Sequence, residues 1–284
     1  MARLFGGRET PKTWLVSPPP SLPARPAIPV LPAHLAQPDP PAPAPVVLRV
    51  GAVMISPGHL LAGMQPAADD VPNVPPWVAG LTAAFARVPG FSLLGACCVL
   101  GIVKQETGRL DRWDEVLRYK DPARILAVHG GRAVRTPSAR AAVASHKAGT
   151  PWPALALAEA GEIVGNPVAL GYRVYAAWGG YAARGLGGVQ LTTLAGHQAF
   201  ADWLGMSLAD ARALMATIPG AALTAPWYVW HHGGQAAANR GDMRAIIGLV
   251  VGKKPGPDLD RVWGVIEGEA RMEHFRTFRR VLGA

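Results

Sequence analysis

The sequence predicts a mostly α-helical domain with at most a short β-hairpin, preceded by a proline-rich extended arm. Three observations carry this prediction. Composition changes sharply near residue 50, cap residues and prolines repeatedly precede apolar residues at helical spacing, and strand signals are sparse. Of 28 prolines, 13 fall in the first 50 residues, including Pro18-Pro19-Pro20 and a run over 38–45. Proline fixes φ and removes a backbone donor, so residues 1–50 read as a polyproline-like arm or linker. Residues 51–284 read as the folded domain. The arm is either a spacer or an attachment segment that orders on a partner, with Trp14 and Leu15 as its anchor.

Within the domain, Ser56-Pro57 caps and opens a first helix, followed by Leu60, Leu61 and Met64 at helical spacing. Pro75-Pro76 opens a second through Trp77, Leu81 and Phe85. A buried helix is expected from 91 to about 107, stopping at Gly108. Its nearly uncharged stretch, 91–103, has 13 residues, short of the ~18–20 that cross a bilayer, so no membrane span is expected. Cys97 and Cys98 are neighbours there and point apart on a helix, which makes them core thiols and not a bridge. Further helices are expected at 122–129, 137–147, 153–163, 166–178, 194–204, 207–217, 221–231 and 235–250, with a long last one over about 258–282. The one candidate hairpin lies near 110–120.

Charge narrows the partners. The chain carries 28 Lys and Arg against 19 Asp and Glu, a net charge of +9, and only six of the basic residues are Lys. Such an Arg-rich excess suits nucleic acid, anionic lipid or a bacterial wall without choosing among them. No continuous apolar segment precedes the first prolines, so no signal peptide is expected.

The chemistry-bearing residues begin at Lys104-Gln105-Glu106-Thr107-Gly108, where a carboxyl emerges from the most apolar helix of the chain. Partial desolvation raises a carboxyl pKa and favours the protonated acid that cleaves a glycosidic bond. Glu115 follows nine positions later, within Asp111-Arg112-Trp113-Asp114-Glu115. Nine residues reach ~30 Å when extended. A turn at Gly108 can therefore set the two carboxyls at the ~6.5–9.5 Å separation of an inverting glycosidase. Charged residues at this spacing equally suit a solvated loop.

A glycine-rich stretch over 179–192 runs into Gln190 and Thr192, where backbone and amide groups can approach a ligand closely. It lacks the preceding strand and following acid of a dinucleotide site. The histidines form no metal set, since His231-His232 has no acidic or Cys partner at ligand spacing. His197 reads equally as a cleft residue or a satisfied core histidine. Trp113 and Trp178, beside the polar motifs, are the candidate sugar-stacking platforms.

From about residue 53 to 282 the chain resembles the glycoside hydrolase family 19 domain in its phage endolysin and chitinase-like form. The family's H-E-S-G-G-F is matched by Gln105-Glu106-Thr107-Gly108-Arg109-Leu110, and its E-N-L-N-Y-S by Glu115-Val116-Leu117-Arg118-Tyr119-Lys120. Its N-R-V-Y is matched by Tyr172-Arg173-Val174-Tyr175, and its G-R-G-L-I-Q-L-T more loosely by the stretch from Arg184 to Thr192. The departures are Gln105 for the family histidine, Arg184 two residues too far from Gln190, and Gly196 and His197 for an asparagine and a tyrosine. The family's I-N-G-G loop falls at Val250-Val251-Gly252-Lys253.

The resemblance implies a lysozyme-like helical fold and inverting hydrolysis of β-1,4 bonds between N-acetylated aminosugars, with no cofactor. Glu106 would be the general acid and Glu115 the general base. Gln190, Thr192, Tyr119, Arg173, Trp113 and His197 would bind substrate. The basic charge fits anionic peptidoglycan better than neutral chitin, and nucleic acid is not expected. A phage virion, tethered to other tail proteins through residues 1–50, or the host cytoplasm with release to the wall would both suit such a lysin. Two rivals stay open. A lytic transglycosylase would use Glu106-Thr107 and Gly187-Gly188-Val189-Gln190 and dispense with Glu115, leaving 1,6-anhydro ends. A non-catalytic wall-binding or tail-structural protein would keep the scaffold alone.

Overall fold

The structure, a computed structural model, describes residues 48–50 and 53–284. The arm expected over residues 1–50 lies outside the described residues as far as position 47. Leu48–Val50 (β1) pairs antiparallel with Val53–Ile55 (β2) in the register Leu48↔Ile55, so the composition boundary at residue 50 falls inside a hairpin.

Everything else among the described residues is helix and connecting loop, so the fold is mostly α, as the sequence predicts. Pro57–Met64 (α1) starts with a capping box in which Ser56 Oγ accepts from the His59 amide at 3.2 Å and His59 Nδ1 accepts from the Ser56 amide at 3.2 Å. Val74–Arg87 (α2) and Leu93–Glu106 (α3) follow, the latter capped by Ser92. Next come Pro122–His129 (α4), Pro137–Ala144 (α5), Ala154–Gly161 (α6) and Pro167–Val174 (α7). Three of these four carry a side-chain cap, from Asp121, Thr136 and Asn166, with proline directly after it. Leu194–Leu204 (α8), Leu208–Met215 (α9) and Ile218–His231 (α10) complete the middle of the chain. Gln235–Asn239 (α11), Met243–Val250 (α12), Pro257–Asp260 (α13) and Gly268–Leu282 (α14) close it. No helix among the described residues is long and apolar enough to cross a membrane.

Three expected helices are broken. The stretch 166–178 ends as an α-helix at Val174, and after Tyr175 a separate 3₁₀ turn covers 176–178. The stretch 235–250 divides where Gly241 takes φ +74° and Asp242 caps α12 through the Ala245 amide. The stretch 258–282 divides at Glu267, which takes φ 54°. Directly after it a Cβ at Gly268 would lie 2.2 Å from the Trp263 ring, so the indole closes that turn against a bare glycine. The hairpin expected near 110–120 is also absent. Arg109 and Leu110 take φ 73° and 79°, and the chain instead makes an isolated bridge from Asp114 to Leu186, which bridges in turn to Leu191.

The buried apolar residues form two clusters. The larger surrounds α3, almost every residue of which is buried, and includes Trp77, Leu81, Leu100, Phe200, Trp227 and Phe278. Gly101 lets α14 approach α3 closely, because a Cβ there would already be 3.2 Å from the Phe275 amide nitrogen. Cys97 and Cys98 are free thiols in this core, and burial pushes both up to about 12. The smaller cluster joins Leu117, Ile125, Leu126, Ala156, Leu170 and Val174 from α4, α6, α7 and the loop before α4. The described residues thus form two apolar lobes, and residues from both line the cavity described next.

Candidate active site

Glu106 is the last residue of α3. The helix ends there because Thr107 Oγ1 donates back to the Val103 carbonyl at 2.7 Å and Gly108 turns at φ +58°. The Glu106 side chain is 1% exposed and accepts a 2.5 Å hydrogen bond on Oε1 from Arg271, also 1% exposed. Arg271 is itself fixed by donating Nε to the Ile266 carbonyl at 2.9 Å. Beside them Gln105 Nε2 donates to Glu267 at 2.6 Å. Burial pushes the Glu106 carboxyl above the ordinary range, against the pull of the Arg271 charge.

Past the turn at 108–110, the loop carrying Glu115 is fastened to the glycine-rich loop. Arg184 donates Nε and one terminal nitrogen to the two oxygens of Asp114, at 2.7 and 2.9 Å. The Glu115 amide donates to the Gly185 carbonyl at 2.9 Å, and the Gly185 amide returns a 2.9 Å bond to Glu115 Oε2. Arg184 thus holds the residue beside Glu115. Tyr175, at the end of α7, donates its hydroxyl to both Glu115 oxygens, at 2.7 and 2.5 Å. Burial and the Glu115 charge push the Tyr175 phenol well above its ordinary value, and the same two causes raise Tyr119.

These groups share a cavity of about 410 Å³ between the two lobes. Glu106, Glu115, Tyr119, Gln190 and Thr192 line it together with Trp178, Tyr175, His129 and Arg132. Val250 and Val251 line it from the larger lobe. A second cavity of about 400 Å³ opens beside α11, α12, Lys253 and Lys254, and contains no carboxylate. Among the described residues no group of three or more His, Cys, Asp and Glu is placed to hold a metal ion.

Three expected substrate-binding residues lie elsewhere. Arg173 donates to the Ala133 and Glu159 carbonyls at 3.1 and 2.7 Å and pairs with Glu162 at 2.8 Å, joining α6 to α7 within the smaller lobe. Trp113 packs its ring edge-on to Trp77 and donates Nε1 to the Ala216 carbonyl at 2.8 Å, so its indole, partly buried, packs against the larger core. His197 is fully buried on α8, with Nε2 2.8 Å from the Leu191 carbonyl, and burial lowers its pKa.

Arg271, Tyr175 and His129 were not singled out from sequence. Arg271 had a visible signal, since it falls with Phe275, Phe278 and Leu282 on the buried stripe of α14. His129, 3% exposed, carries no hydrogen bond from a described residue on either ring nitrogen and packs edge-on to Tyr119. Comparison with known proteins finds no family whose model matches this chain, and no curated protein that matches it.

Proposed function

We propose that this chain is a peptidoglycan-degrading glycosidase of the family 19 kind, with a lysozyme-like fold, hydrolysing β-1,4 bonds between aminosugars by inversion. One observation carries the reading: a single inter-lobe cavity is lined by Glu106, buried at a helix end, and by Glu115, held by polar donors on the facing loop. Two carboxyls in contrasting environments on one cavity are what separate acid and base roles require.

In this mechanism Glu106 protonates the leaving oxygen. Arg271 occupies Oε1, so the transferable proton is carried on Oε2. Glu115 removes a proton from a water on the opposite face of the sugar, and that water becomes the new anomeric hydroxyl. Gln190 and Thr192, on the same cavity wall, orient the water or the acetamido group. Trp178, half-buried on the wall with the Arg132 guanidinium 5.9 Å from its ring centre, is the aromatic group nearest in kind to a sugar platform. The net charge of +9 favours an anionic wall polymer. Such an enzyme would act at the bacterial wall, carried in a phage virion or released from the host.

The Glu106–Arg271 pair also favours a second reading. A buried carboxylate in a 2.5 Å ion pair is equally the arrangement of a structural pair, as in a non-catalytic wall-binding protein on the same scaffold. Zymography on purified peptidoglycan separates the two. A cleared band for wild type and none for Glu106→Gln supports the hydrolase, whereas no band for folded wild type supports the binding protein.

A further inference from the structure

Glu115 is held from two sides. Gly185 donates its amide to Oε2 at 2.9 Å, and the Tyr175 hydroxyl lies 2.5 Å from Oε2 and 2.7 Å from Oε1. The two carboxylate oxygens are therefore not equivalent. Among the described residues, Oε2 accepts from two groups, while Oε1 accepts a share of the single phenolic proton. Tyr175 is in turn rigid. Its ring is 7% exposed in the smaller apolar cluster, and its amide caps α7 on the Gly171 carbonyl at 2.9 Å. Packing fixes the phenol, and the phenol fixes the carboxylate.

We infer that Tyr175 is a positioning residue for the reaction. It holds Glu115 in one rotamer and leaves Oε1 as the oxygen that takes the proton from the attacking water. This rests on the reading of Glu115 as general base. In the step, an O–H bond of water breaks, the proton passes to Oε1, and the water oxygen forms the new bond to the anomeric carbon. The bond to the leaving oxygen breaks as Glu106 protonates it. Tyr175 neither gains nor loses a proton. Its contribution is aim, because a carboxylate free to swing about its last torsion spends much of its time with neither oxygen on the water's path.

The test compares wild type, Tyr175→Phe and Glu115→Gln in the full chain, by release of reducing ends from soluble peptidoglycan glycan fragments. Folded Tyr175→Phe is expected to lose about 10- to 100-fold in kcat with KM within about twofold of wild type. Unchanged kcat in folded Tyr175→Phe, with activity lost in Glu115→Gln, overturns the positioning role and leaves the two-carboxylate reading standing. A raised KM at constant kcat also overturns it, since Tyr175 then binds substrate. Full activity in Glu115→Gln overturns both. Where Tyr175→Phe does not fold, 3-fluorotyrosine at position 175 keeps the ring and alters the phenol's donor strength. A kcat change of about twofold or more at constant KM then supports the assignment, and an unchanged kcat overturns it.

Discussion

Arg271 donates a 2.5 Å hydrogen bond to Glu106 across 165 positions of sequence, and both side chains are 1% exposed. The pair ties the last helix to the end of the central one at the cavity wall. Removing one partner leaves the other buried and unpaired. Arg271→Met is therefore expected to lower unfolding stability by about 3–5 kcal/mol. Adding Glu106→Met should recover most of that loss, because the buried charge goes with it. Urea denaturation of the three chains measures both effects. A loss under about 1 kcal/mol in Arg271→Met contradicts the buried pair.

The glycine-rich loop owes its path to contacts that admit no side chain. Gly187 takes φ +81°, and a Cβ there would lie 2.4 Å from Thr224 Oγ1. That hydroxyl cannot retreat freely, since it accepts from the Gly188 amide at 2.9 Å and donates to the Ala221 carbonyl at 2.7 Å. Gly187→Ala should cost more than backbone strain alone, about 2–4 kcal/mol. Gly149, at φ +85° with no atom within 4 Å of the added Cβ, supplies the comparison. Gly149→Ala should cost about 1 kcal/mol. Equal losses in thermal unfolding would contradict the close approach at Gly187.

His129 makes stability depend on pH. Burial, aided by the Arg132 charge, lowers its pKa from 6.5 to about 4. Between those values the unfolded chain binds the proton and the folded chain does not, so stability falls as pH drops through that window. At about 1.4 kcal/mol per unit, the contribution approaches 3 kcal/mol by pH 4. His129→Phe removes the titration, so its stability should decline less than that of wild type between pH 6.5 and 4. Parallel curves for the two chains in urea melts across that range would contradict the assignment.

How much of this was legible in the sequence follows from the range of each interaction. Helix starts are local: Ser56, Ser92, Asp121, Thr136 and Asn166 cap the helices that their neighbours announce. Glu106 was legible for the same reason, standing at the end of a continuous apolar run. The break at Glu267 was not, because a glutamate at positive φ is imposed by tertiary packing and leaves no mark in composition. Residues around the carboxylates divide in the same way. Gln190 and Thr192 sit where the glycine-rich loop pointed, whereas Tyr175 and Arg271 meet their partners only once the lobes are assembled. Arg173, Trp113 and His197 were misplaced because residue type does not reveal which face of a helix or loop turns inward. Each is held by backbone carbonyls that the sequence cannot rank as partners.

If Glu106 and Glu115 act as acid and base on opposite faces of one sugar, the anomer released first records it. Time-resolved proton NMR of the first reducing ends released by wild type from soluble peptidoglycan glycan fragments tests it most directly. The α-anomer is expected first, equilibrating later with the β-anomer, because attack through Glu115 inverts a β-linked centre. Initial appearance of the β-anomer, or of 1,6-anhydro ends with no new reducing end, would contradict it.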